Sequence, residues 1–156
     1  MNNFDVIIAA VKIVEKSLNF PAPELFIIER SKLPNSEITG MYKYDSNKII
    51  FSKDWILRSH WTEVIITVFH EMRHAYQGYC IRTQSRETKE TLDKWEFETV
   101  NYIMPSGKNN ETDDEAYLKQ EIEIDAIVFA HKMMIEHFEL KTIIPSSIKN
   151  LVITKI

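Results

Sequence analysis

Apolar positions recur at helical spacing in three long stretches of the chain and cluster or alternate in three short ones. From Asp5 to Leu18 the apolar residues Val6, Ile7, Ala10, Val11, Ile13, Val14 and Leu18 are separated from Lys12, Glu15 and Lys16, a pattern that predicts an amphipathic helix. Asn19-Phe20-Pro21-Ala22-Pro23 ends it, because proline lacks a backbone donor and disfavours helix in the residue before it. Glu24 to Glu29 is a short apolar run after that breaker and reads as a strand. Glu37 to Tyr44 and Lys48 to Ser52 flank Asp45-Ser46-Asn47, residues that tolerate unusual backbone angles, and together they predict a β-hairpin.

Asp54 to Trp61 connects the hairpin to a second helix, with room for a short helical turn, and no Pro or Gly interrupts that second helix from Trp61 to Gln77. Gly78-Tyr79-Cys80 is expected to end or bend it. Arg82 to Asn110 is the least periodic part, with a helix expected over Asp93 to Tyr102 and a turn at Pro105-Ser106-Gly107. Asp113-Asp114-Glu115 suits a helix N-terminus, and the spacing predicts one long helix from Ala116 to His137. Ser147 to Ile156 reads as a weakly determined helix or strand. The elements add up to a single α+β domain spanning residues 1–156, with a short antiparallel or mixed sheet.

At 156 residues the chain is long enough to bury one substantial core, and its 44% hydrophobic and 27% charged residues are ordinary for a globular protein. The net charge of −4 comes without a dense basic run, so nucleic acid is not an expected ligand. Cys80 is alone, which excludes a disulfide framework. The N-terminus carries no basic segment followed by a cleavable apolar core, and Val6 to Val14 is too short to span a bilayer. A cytoplasmic protein without a membrane partner is the expectation; the number of subunits is left open.

The chemistry lies in the second helix. His70-Glu71-x-x-His74 puts two imidazoles four residues apart, one helical turn, so both can reach a single tetrahedral Zn²⁺. Glu71 is rotated about 100° from His70, beside such an ion and not on it, where it can take a proton from an attacking water. Five residues with three fixed identities occur by chance, but here they sit on a helix beside the apolar Val64, Ile65, Val68 and Phe69. The competing explanation is an amphipathic helix whose surface happens to carry these residues.

A catalytic zinc site needs a third protein ligand. A nearby histidine six residues past His74 would supply one, but Cys80 stands there, and Gly78 falls one residue late for the turn that route requires. Cys80 fits better as a small buried hydrophobe. The other route is a carboxylate from the later helix: Glu121, Glu123 or Asp125. Glu123 shares a face with the small Ala126 and with Ile127 and Met134, which favours it. Glu121 lies with Asp125, Val128 and Lys132, and a Glu121 ligand with Asp125 orienting a histidine is the competing arrangement.

Together, His70-Glu71-x-x-His74 and Glu123-x-x-Ala126-x-x-Phe129-Ala130 resemble the small zincin-like metallopeptidases of the ImmA/IrrE type and related proteins of phages and mobile elements. The likeness runs from about Ile38 to Met134, with 82–110 unmatched. It implies His70, His74 and Glu123 as zinc ligands, Glu71 as general base, a peptide or protein as substrate, and an edge strand of the upstream hairpin facing that substrate. Arg73 and Ile127 depart from the family pattern, which usually has Gly and Asn or Asp at those places. No stabiliser of the oxyanion is assigned among Tyr76, Tyr117 and His60. A catalytically idle, protein-binding module on the same fold is the alternative function, and a purely structural helical protein is the third.

Overall fold

The computed structural model, which describes residues 1–108 and 110–156, contains seven α-helices and a three-stranded mixed sheet among the described residues. Helix α1 (Asn3–Leu18) begins with a reciprocal cap between Asn2 and Asp5 and buries Val6, Ile7, Ala10, Val11 and Val14. Strand β1 (Glu24–Ile28) pairs in parallel with β3 (Lys48–Ser52), and β2 (Gly40–Lys43) pairs antiparallel with β3, so β3 is central and β2 lies at an edge. The hairpin turn is closed by Asn47 in the left-handed conformation, φ 50°. The first hairpin strand is shorter than the sequence suggests. Asn35 accepts the backbone N–H of Glu37 through its side chain and that of Ile38 through its carbonyl, which turns the chain before Gly40.

Helix α2 (Lys53–Arg58), capped by the Ser52 hydroxyl, leads into α3 (Trp61–Thr83), which forms the middle of the molecule and packs against α1 on one side. Gly78 neither ends nor bends α3. The helix runs five residues further, to a left-handed Gln84 whose N–H reaches the Cys80 and Ile81 carbonyls. The glycine serves packing: a Cβ there would stand 2.6 Å from the Tyr42 hydroxyl. That hydroxyl donates to Asn47 and accepts from Arg82, which also binds Asn47 and so fastens the hairpin to α3.

Helix α4 (Lys89–Val100) begins four residues earlier than expected and ends before Tyr102. The long later helix is broken. α5 (Glu115–Leu118) stops, Gln120 adopts an extended conformation (φ −59°, ψ 136°), and α6 (Glu121–Phe138) starts afresh. The Gln120 side chain occupies the break, donating to the Ile103 and Tyr117 carbonyls and accepting from the Ile103 N–H. The first two N–H groups of α6 are taken by the Glu98 carboxylate of α4, at 3.1 and 2.8 Å, a cap from outside the helix. α6 packs along α3, and α7 (Lys149–Ile153) closes a smaller core of Ile124, Val128, Ile148 and Val152. Among the described residues no helix is long and apolar enough to cross a membrane.

The crowding at Gly78 makes a measurable coupling. Gly78→Ala should lower stability by about 1–2 kcal/mol, the overpacking outweighing the gain in helix propensity. In a Tyr42→Phe background the same substitution should cost at least about 0.5 kcal/mol less, since the hydroxyl it meets is gone. Denaturant unfolding of the four proteins checks this; equal penalties in both backgrounds would refute it.

Candidate metal centre

The helical period places His70 and His74 on one face of α3, and α6 crosses that face with Glu123 in its first turn. The two imidazole Nε2 atoms lie 3.0 Å apart. Glu123 Oε2 is 3.2 Å from His70 Nε2, and Oε1 is 3.1 Å from His74 Nε2. Donors about 2.0–2.1 Å from one tetrahedral ion stand roughly 3.3 Å from each other, so the two imidazole nitrogens, with one carboxylate oxygen near each of them, lie close to the spacing such an ion needs. Glu123 is completely buried, and its Oε2 makes no well-directed hydrogen bond among the described residues, only the 3.2 Å contact with His70 Nε2. A buried carboxylate oxygen in that state is stabilised by a cation. His70, His74 and Glu123 could hold a metal ion.

Protons compete for the same atoms. Burial disfavours charge on His74, but the Glu123 carboxylate outweighs it and the imidazole pKa is pushed up to about 9. Burial likewise opposes charge on Glu123, yet His74 and His70 hold its carboxyl well below the usual range. Glu71 is buried next to this group. Its pKa is raised by loss of solvent, against the attraction of His70 and His74 and with some repulsion from Glu123. The backbone N–H of Tyr42, on edge strand β2, faces the Glu71 carboxylate.

Two phenols complete the polar surroundings. Tyr102, in the segment after α4, donates to Glu123 Oε1 at 2.5 Å, and Tyr117 of α5 meets the Tyr102 ring edge to face at 6.2 Å. Burial, followed by the negative charge of Glu123, pushes both phenol pKa values up, so both keep their protons. His70, Glu71 and His74 line a cleft of about 230 Å³ together with Gly40, Met41 and Tyr42 of β2 and with Tyr102, Met104 and Tyr117.

Of the carboxylates weighed from the sequence, Glu123 meets the histidines. Glu121 is exposed, its backbone N–H held by Glu98, and Asp125 forms a two-pronged pair with Arg73 at 2.7 and 3.1 Å. Cys80 is buried outside the group, next to Tyr76. His60 caps α3, and Tyr76 packs on Phe20 and Arg73, so neither lines the cleft, whereas Tyr117 does. Tyr102, Glu98 and Gln120 carry no signal in the sequence, because their roles depend on contacts between segments 17 or more residues apart. Gln77 stands three residues past His74, on the same face of α3, and that spacing is the one local signal that could have found it.

The chain matches no family model, no curated protein and no solved structure.

Stability against pH has a definite sign in the metal-free protein. The raised His74 contributes fully below about 6.5, its ordinary value, and loses that contribution as pH rises through about 9. The lowered Glu123 contributes above about 4.5 and loses it as pH falls through its folded value. Chelator-treated protein should therefore show a falling melting temperature from pH 6.5 to 9, while the metal-loaded form, which needs neutral imidazoles, gains relative to it. Parallel melting profiles for the two forms would contradict the site.

Proposed function

We propose that the protein is a zinc-dependent peptidase, with Zn²⁺ held by His70 Nε2, His74 Nε2 and the Glu123 carboxylate. The observation that carries the reading is the convergence of two imidazole nitrogens 3.0 Å apart on one buried carboxylate, whose two oxygens stand 3.2 and 3.1 Å from them, with both histidines lining a cleft. Two imidazoles and one carboxylate form the three-ligand set of catalytic zinc, whereas structural zinc is closed by four protein ligands. The likeness of the His70-Glu71-x-x-His74 and Glu123-x-x-Ala126-x-x-Phe129-Ala130 pair to ImmA/IrrE-type metallopeptidases supports the same reading. Bound Zn²⁺ supplies Lewis acidity toward a peptide carbonyl and lowers the pKa of water toward about 7.

The chain's own groups do the rest. The Glu71 carboxylate accepts the proton of the attacking water and returns it to the leaving amine nitrogen. Its raised pKa brings the Glu71 carboxyl closer to the pKa of the water whose proton it takes. The Tyr117 phenol, kept protonated and lining the cleft, donates to the oxygen of the carbonyl under attack. Tyr102 holds Glu123 Oε1 in place. Edge strand β2 offers main-chain groups to an extended peptide laid along the cleft.

Glu71→Gln should retain one zinc per chain and lose about 10²–10⁴-fold in peptide turnover, read by metal analysis and by cleavage of a peptide library with and without chelator. A wild-type protein that binds zinc but cleaves nothing in the library overturns the peptidase and leaves a metal-bearing binding module. Tyr117→Phe should lower kcat by about 10²–10³-fold and change KM far less. An equal loss through KM alone would assign Tyr117 to substrate binding.

A further inference from the structure

The side chain of Gln77, one turn beyond His74, is wholly buried and makes three hydrogen bonds. Its Nε2 donates to the Ile122 carbonyl at 3.0 Å and to Asp125 Oδ2 at 2.7 Å. Both partners are acceptors only, so the amide cannot be turned over without setting oxygen against oxygen in a buried site. With Nε2 committed to α6, Oε1 must face His74, whose Nδ1 lies 2.8 Å away. An oxygen there accepts and does not donate. Nδ1 must therefore carry the proton, and in the neutral ring Nε2 must carry the lone pair.

Asp125 is itself fixed. The Arg73 guanidinium binds it through two hydrogen bonds, and the faces of Tyr76, Phe129 and Trp95 lie 4.7, 5.1 and 5.9 Å from the Arg73 guanidinium carbon. A neutral amide suits this relay better than a carboxylate. A third negative group beside Glu123 and Glu71, 2.7 Å from Asp125, would meet uncompensated repulsion.

We infer that Gln77 is a positioning residue that locks His74 in the tautomer with its proton on Nδ1, and that Asp125, gripped by Arg73, is what locks Gln77. The inference rests on the metal-site reading. Arg73, Gln77 and Asp125 act jointly to hold the proton on Nδ1 of His74, so that the position an incoming ion takes is Nε2.

Zinc affinity, measured by competition with a chromophoric chelator, tests it together with long-range proton–nitrogen NMR of the His74 ring. Gln77→Met, similar in length but without acceptor or donor, should weaken zinc binding about 10–100-fold. The double variant Gln77→Glu/Asp125→Asn restores a donor to the contact between positions 77 and 125, the new amide donating to the new carboxylate, while the opposition to the Ile122 carbonyl is the same in both variants that carry Gln77→Glu. It should bind zinc more tightly than Gln77→Glu alone, in which two carboxylates face each other. The wild-type ring should show a proton on Nδ1 and metal on Nε2. Zinc affinity of Gln77→Met within about threefold of wild type, absence of rescue in the double variant, or metal on Nδ1 would each overturn the inference. If Gln77→Met fails to fold, the rescue and the wild-type spectrum decide. A wild-type protein that binds no zinc overturns the metal reading and this inference with it, whereas zinc binding indifferent to Gln77 overturns the inference alone.

Discussion

A fully buried carboxylate between two imidazoles is the constraint around which this molecule is built. Taking Glu123 out of water costs several kcal/mol unless positive charge and hydrogen bonds compensate it, and every compensating group comes from another segment. His70 and His74 come from α3, and the Tyr102 hydroxyl from the segment after α4. None of these contacts survives a shift of about one ångström between α3 and α6. The helices must meet in one register, and buried small residues (Ala75 on α3, Ala126 and Ala130 on α6) are compatible with a close approach.

The polar groups around this cluster hold that register. Glu98 takes the first two N–H groups of α6, so the turn that carries Glu123 is fixed to α4. Gln120 ties the break before α6 to Ile103, next to Tyr102, which sets the phenol over the carboxylate. Gln77 joins α3 to the Ile122 carbonyl and to Asp125. Three buried or nearly buried polar side chains, each satisfied, surround one end of α6. Buried polar groups fix geometry more strictly than apolar contacts because each demands a direction as well as a distance. The opposite, apolar side of α3 carries the bulk of the core, with Val64, Val68, Phe69 and Met72 inaccessible to solvent.

The cleft is likewise a product of distant pieces. Its lining comes from β2, from Tyr102, Met104 and Pro105, from Tyr117 of α5 and from α3. Gly78 is the clearest instance of a local signal overruled. As a helix breaker it suggests an end to α3, yet the helix continues, because what the position needs is room for Tyr42 and the i→i−4 bonds of a long packed helix outweigh one glycine.

Local periodicity was enough to place α1, the hairpin, the helix bearing His70, Glu71 and His74, and a later acidic helix, since each of these is set by neighbours within a turn or two. It also put Glu123 on a face shared with small apolar residues. What it could not separate was Glu121, Glu123 and Asp125 as partners for the histidines, because that choice depends on how α6 is rotated against α3. The broken helix at Gln120, the parts played by Tyr102 and Glu98, and the bonds that tie Gln77 to Ile122 and Asp125 belong to tertiary structure alone. Each rests on hydrogen bonds between segments far apart in the chain, and such a bond leaves no period in the sequence by which to find it.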